Sequence, residues 1–157
     1  MRIIGIDPGT GILGFGVIDS KNGQTTLVDA GVIRTKVHQP LDERLEEIFN
    51  SLKEIIAGCS PTVMVVEKLF FAQNVTTAMS VSHARGVVML AGKLAGLEIV
   101  EYTPLQIKQA LTGYGRAEKK QMQEMVRVML GLTEVPKPDD CADALAAAIC
   151  HAGQLKT

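Results

Sequence analysis

Apolar residues come first in three short stretches, 2–7, 13–19 and 26–35, each bounded by turn residues and each strand-like in length and composition. The separators, Pro8-Gly9-Thr10-Gly11 and Lys21-Asn22-Gly23, have hairpin length, so the opening predicts an antiparallel meander. From Leu41 the period changes. Leu41, Leu45, Ile48, Leu52, Ile55 and Ile56 recur at helical spacing with charged residues between them, and this helix is predicted to stop near Gly58. The run 62–66 is short and almost wholly apolar and ends at Glu67, as expected of a parallel strand covered on both faces and lying beside the first strand.

A helix is predicted over 76–97. Its second half, from Gly86 to Gly92, is apolar nearly all round, which implies burial or a subunit contact. A strand over 97–102 follows, and Thr103-Pro104 then reads as a helix start with proline at the first position, the helix ending before Gly113-Tyr114-Gly115. Met122, Met125, Val126, Met129 and Leu130 mark another helix. After Pro136 and Pro138, Ala142, Leu145, Ala146 and Ile149 mark the last. The order βββαβαβαα with one extra helix predicts an α/β fold with a mixed sheet and helices on both faces. No repeat or linker divides the chain, so residues 1–157 are expected to form one domain.

Composition narrows the class. A chain of 157 residues, 46% of them apolar, can bury about 70% of its unfolded surface without disulfides or metals. Cys59, Cys141 and Cys150 have no zinc-type spacing and are expected to be reduced thiols. The start lacks a signal-peptide pattern and no apolar run approaches a membrane span, so a soluble, cytoplasmic protein is expected. Net charge is −1, but it is unevenly placed: residues 1–84 hold seven Lys/Arg against nine Asp/Glu, 85–127 seven against four, and 128–157 two against four. A basic middle between acidic ends suits a protein that grips a phosphate backbone beside a cluster of acids.

The acids themselves sit where carboxylates are costly. Asp7 ends the first strand and opens the DPGTG turn, Glu67 ends a buried strand, and Asp139, Asp140 and Asp143 open the last helix. DPGTG alone has three readings: a nucleotide-phosphate loop, one carboxylate of a metal cluster, or a hairpin turn capped by Asp. An acid following five apolar residues either reaches solvent, holds a proton, or is compensated by a cation; oxygen-only ligands favour Mg²⁺ or Mn²⁺. Two ions about 4 Å apart would serve phosphodiester hydrolysis. Asp140 and Asp143 share a helix face, but so nearly do Asp139 and Asp143, and Asp139 after Pro138 also suits an N-cap. Asp143, beside the apolar stripe, is expected to face inward.

Jointly, the opening GIDPGT with Gly14-Phe15-Gly16, VVEKLFFAQN from Val65, HARG from His83 and DCADALAAAICH from Asp140 resemble the RuvC Holliday junction resolvases, in order and over nearly the whole chain. The resemblance implies an RNase H-like fold, a homodimer, and Mg²⁺-dependent paired nicking of four-way DNA junctions that leaves 5′-phosphate and 3′-hydroxyl ends. It also implies partnership with the RuvA–RuvB branch-migration complex. Carried over by motif, Asp7, Glu67, Asp140 and Asp143 become the catalytic, metal-binding acids, with Asp139 an additional acid beside the third. Lys108 and Lys119 match basic positions near DNA, and Arg85 and Lys120 extend that patch. Phe70 is expected to stack on or wedge against an opened base, with Phe71 in the core. Rival readings are a phosphotransferase of the actin and sugar-kinase type, which single-domain length disfavours; an RNase H-like nuclease acting on structured RNA; and a non-catalytic junction-binding module.

Overall fold

The computed structural model describes residues 1–68 and 75–155. Its elements, in chain order, are β1 (Arg2–Asp7), β2 (Ile12–Lys21), β3 (Gln24–Arg34), α1 (Leu41–Cys59), β4 (Val63–Glu67), α2 (Val75–Leu94), β5 (Glu98–Tyr102), α3 (Pro104–Thr112), α4 (Lys119–Met129) and α5 (Asp139–Gln154). Pairing gives a five-stranded sheet in the order β3-β2-β1-β4-β5. The first three strands form the expected meander, and β4 lies parallel to β1 in the register Ile6↔Val66, with β5 parallel to β4.

The predicted types and order of elements are all present, and the differences lie at the boundaries. β2 and β3 run closer together than the hydrophobic pattern suggested because Asn22 and Gly23 both take positive φ, 51° and 79°, closing a two-residue turn whose twist matches the strands. α2 stops at Leu94, not 97: Gly96 adopts φ 79° and the Leu97 amide bonds back to the Gly92 carbonyl at 3.0 Å. α4 starts before its first apolar marker, since Glu118 and Gln121 form a reciprocal capping box. The Thr103–Gln106 pair caps α3 in the same way, with Pro104 at its start as the sequence implied.

Helices cover both faces, and the strands treat the two faces differently. Toward α1 and α2 they send Ile4, Ile6, Leu13, Phe15, Val17, Met64 and Val66 against Ile48, Leu52, Ala84 and Val88. Toward α3, α4 and α5, β1 and β2 present Gly5, Gly14 and Gly16 in the stretch nearest Asp7. A Cβ on Gly5 would lie 2.0 Å from the Ala144 carbonyl oxygen, one on Gly14 2.1 Å from that of Asp140, and one on Gly16 2.5 Å from the Leu145 side chain. These glycines form a floor on which the alanine-rich α5 lies in backbone contact. Its Cys141, Ala144, Leu145 and Ala148 are buried there.

Candidate active site

Alternation along β1 and β4 puts Asp7 and Glu67 on the α5 side of the sheet, at the carboxyl ends of adjacent parallel strands. Beyond Glu67 the Lys68 amide donates to the Tyr102 carbonyl at 2.7 Å, so the β4 end is tied to β5. α5 begins at this same end. Because Gly14 lies under the Asp140 backbone and pairs with Asp7, the first turns of α5 bring Asp140 and Asp143 toward the strand-end acids.

Electrostatic coupling ties the four into one cluster. Asp7 has its pKa pushed up to about 8, first by burial, then by the charges of Asp143, Glu67 and Asp140, and by a carboxyl hydrogen bond with Asp140. Burial raises Glu67, the Asp143 charge raises it further, and Lys108 partly offsets both. Asp143 is raised by burial and by Asp140 and Asp139, against the opposing charge of Lys119. Acids this close cannot all ionise at neutral pH without a cation to compensate them.

The structure separates Asp139 from the N-cap role expected of it. Pro138 occupies the cap and offers no side-chain bond, while Asp139 is the first helical residue, accepting from Gln123 Nε2 at 3.0 Å and pairing with Lys119 Nζ at 3.2 Å. Lys119 lies 3.9 Å from Asp143 as well, so it bridges the two acids. Asp139 is thereby turned toward α4, whereas Asp140 lies near enough to Asp7 to help raise its pKa, which favours Asp140 as the third member of the cluster.

A cleft of about 250 Å³ opens beside these acids, lined by Glu67, Asp143, Lys108 and Lys119 over a floor of Ile107, Met122 and Ala146. Lys120 turns to the other side of α4, where it lines a separate groove with Lys137 and Glu124. Arg85 lies on the opposite face of the sheet: it is ion-paired with Glu101 of β5, and its Nε is buried without an acceptor. Its geometry is that of a structural brace. Phe70 and Phe71 fall outside the described residues.

Two features near the acids were not foreseen from the sequence. Thr10 is buried, and its hydroxyl meets Ser80 Oγ of α2 at 2.5 Å, while Thr35 Oγ1 donates to the Thr10 carbonyl. Tyr102, paired with Glu67 across the strands, meets His151 Nδ1 through its hydroxyl at 2.8 Å, fixing the far end of α5 to β5. The side-chain pairs Thr10–Ser80 and Tyr102–His151 join residues 70 and 49 apart, so neither has a local sequence signal.

Among the described residues, no three His, Cys, Asp or Glu side chains converge into a closed ion-binding set. The donor set nevertheless fits a hard divalent ion: all oxygen, mutually repelling, half-buried and open to a cleft. Magnesium ordinarily completes its shell with waters and substrate oxygens, so a full protein cage is unnecessary.

A mixed sheet carrying two strand-end carboxylates, completed by acids from a helix laid across its face, defines the class of RNase H-like, metal-dependent nucleases. Comparison with known proteins narrows this. The family model of the crossover junction endodeoxyribonuclease RuvC matches residues 3–151. The chain is 55% identical over 152 residues to the RuvC of Brevibacillus brevis, covering 97% of this chain and 92% of that one. It is 54% identical over 155 residues to that of Heliobacterium modesticaldum, covering 99% and 96%. The Thermus thermophilus RuvC structure superposes with a TM-score of 0.92 at 37% identity, covering 99% of this chain and 96% of that one. The same enzyme in complex with Holliday junction substrate gives 0.91 at 35% identity, with the same coverage. The chain belongs to the RuvC family of crossover junction endodeoxyribonucleases.

Proposed function

We propose that this chain resolves Holliday junctions as a homodimer, nicking two opposed strands of a four-way DNA junction to leave ligatable 5′-phosphate and 3′-hydroxyl ends. The observation that carries this reading is the meeting of Asp7 and Glu67 with Asp140 and Asp143 beside a lysine-lined cleft. Membership of the family supports it.

Mg²⁺, with Mn²⁺ as a substitute and two ions per site, is the cofactor these acids suit. When bound, such ions supply an activated water and neutralise the departing 3′ oxygen. The chain's own residues set the stage. Asp7, held protonated by burial and by the neighbouring acids, must lose its proton before it can serve as a ligand. Glu67 and Asp143 line the cleft together with the apolar Ile107 and Met122. Lys108 and Lys119 place positive charge where the phosphate oxygens would enter. Lys119 would exchange its contacts with Asp139 and Asp143 for the substrate.

The homodimer finds support on α2. Val75, Met79, Leu90 and Leu94 are exposed, from 53% to 76% each, and with Gly86 they fall in one stripe about 100° wide. Among the described residues, nothing beyond Gly86's own stretch of helix stands within 4 Å of a Cβ placed on it, so a second copy can approach the helix backbone at the stripe's centre. Partnership with a RuvA–RuvB branch-migration complex and a cytoplasmic setting rest on the resemblance; among the described residues no helix is long and apolar enough to cross a membrane. The stacking role of Phe70 rests on it too. Phe70→Ala should slow junction cleavage while leaving divalent-ion binding intact, and equal cleavage would remove that role.

The deciding experiment is a Mg²⁺-dependent nicking assay on a synthetic four-way junction, a linear duplex and a structured RNA. Paired, symmetric cuts on the junction support the reading. Preferential RNA cleavage would overturn it in favour of an RNA-directed nuclease, and ATP hydrolysis without DNA in favour of a phosphotransferase.

A further inference from the structure

Lys108 and Lys119 line the cleft on the α5 face of the sheet, beside Glu67 and Asp143. Asp7 and Glu67 belong to its two central strands, β1 and β4. The edge strand β3 ends at the same end of the sheet as these acids, since β3 runs in the same direction as β1. There the chain reads Arg34-Thr-Lys36 and, at the start of α1, Arg44.

Arg44 is half-buried and held. Its Nε donates to Thr35 Oγ1 at 2.8 Å; Thr35 Oγ1 donates to the Thr10 carbonyl, and the Thr35 amide donates to the Gly11 carbonyl at 3.0 Å. Thr10 is in turn pinned by Ser80. The guanidinium is thus indexed, through two threonines, to the turn that follows Asp7. Its Nη2 lies 3.2 Å from where a Gly11 side chain would begin, so Gly11 leaves the fork room beside the turn.

A cation in the first turn of a helix opposes the helix dipole. Arg44 sits there without the compensation of an ion pair: among the described residues no carboxylate lies within 4.0 Å of it, although Asp42 and Glu43 precede it in the chain. A guanidinium fixed through Nε keeps its Nη donors as a fork suited to phosphate oxygens. Arg34 and Lys36 flank Thr35, the residue that holds it. Because Ile33 packs toward α1, alternation turns Arg34 to the α5 face, the face of the acids. Two strand spacings, about 10 Å, separate β3 from β1.

We propose that Arg44 on the α1 side of the β3 edge, with Arg34 on its α5 side and Lys36 beyond the strand end, forms a second phosphate-binding arm that grips the DNA backbone apart from Lys108 and Lys119 in the cleft. The DNA would then be held at the cleft and again at the β3 edge. This rests on the junction-binding reading above and deepens it. The contact is to phosphate, so it carries no base preference.

The test is junction binding by the full chain in EDTA, followed by fluorescence anisotropy across a salt series. Removing one phosphate contact reduces the slope of log K against log salt by about 0.9. Arg44→Gln should weaken binding to all junction sequences alike and lower the slope by about 0.9. The flanking pair changed together, Arg34→Gln with Lys36→Gln, should lower it by about 1.8. Arg44→Lys should restore the slope but not the affinity, since the charge returns without the fork. An unchanged slope in either glutamine variant overturns the arm. Should Arg44→Gln fail to fold, the flanking pair alone decides. A wild-type chain that does not bind the junction would instead overturn the functional reading itself.

Discussion

The two faces of the same two strands are built to opposite specifications. On one, Ile4, Ile6, Leu13, Phe15 and Val17 interlock with α1 and α2; on the other, beside the acids, Gly5, Gly14 and Gly16 present bare backbone to α5. The first face gains stability by burying bulky side chains. The second gives up that burial and gains proximity, because a helix seated on glycines can bring its own carboxylates to those of the strands. The candidate acids lie where the strands give up side-chain packing to a helix, and substitutions at the glycines and on the opposite face should therefore fail differently.

The largest effect is expected at the acids. Asp7→Asn should cut junction nicking by about 10³-fold, measured as single-turnover rate, with the fold retained. The same variant has a pH signature in divalent-free buffer. Asp7 holds its proton up to about 8 in the folded chain, against an ordinary value of 3.8. Across that window the native state binds more protons than the unfolded one, so stability falls as pH rises from about 4 to about 8. Melting temperatures of the wild type should decline over that range, and Asp7→Asn should flatten the decline.

Next comes the glycine floor. Gly14→Ala drives a Cβ into the Asp140 backbone, and α5 must shift. A displacement of about 1 Å costs about 10²-fold in rate, and overpacking about 1–3 kcal/mol of stability. Nicking rate and denaturant unfolding on one preparation would show both losses together. A variant losing stability but retaining its rate would break the link between floor and site.

Leu52→Ala, on the other face, inverts the pattern. Leu52 is fully buried against the sheet, and truncation should cost about 2–5 kcal/mol while the folded fraction keeps its rate. Smallest of all is Lys120→Ala. Lys120 faces the groove on the far side of α4, so its loss should slow nicking less than Lys108→Ala does; equal losses would extend the DNA track around α4.

What the sequence made legible follows from range. Asp7 and Glu67 stood out because an apolar run ending in an acid marks a strand end, a local pattern. Element types were legible for the same reason. The seating of α5 was not, since it depends on which strands pair: Gly5, Gly14 and Gly16 become one surface only once β1 and β2 are in register. Asp139 fitted an N-cap locally, yet Gln123 and Lys119 of α4 claim it, and no spacing within 139–143 reveals that. Arg85 looked like part of a basic patch until Glu101, in another element, took it into an ion pair. Thr10, Thr35 and Ser80 are ordinary in sequence and meet only because three connections return to one end of the sheet.

The central claim is that the strand acids and the helix acids form one ion-binding centre. Calorimetric titration of Mn²⁺ into the full chain and its single variants at about pH 8, where about half of Asp7 has released its proton, tests it most directly. Asp7→Asn, Glu67→Gln, Asp140→Asn and Asp143→Asn should each abolish or weaken binding, whereas Asp139→Asn, whose side chain is held by α4, should bind as the wild type does. Undiminished binding in Asp7→Asn, or a loss confined to Asp139→Asn, would contradict the account.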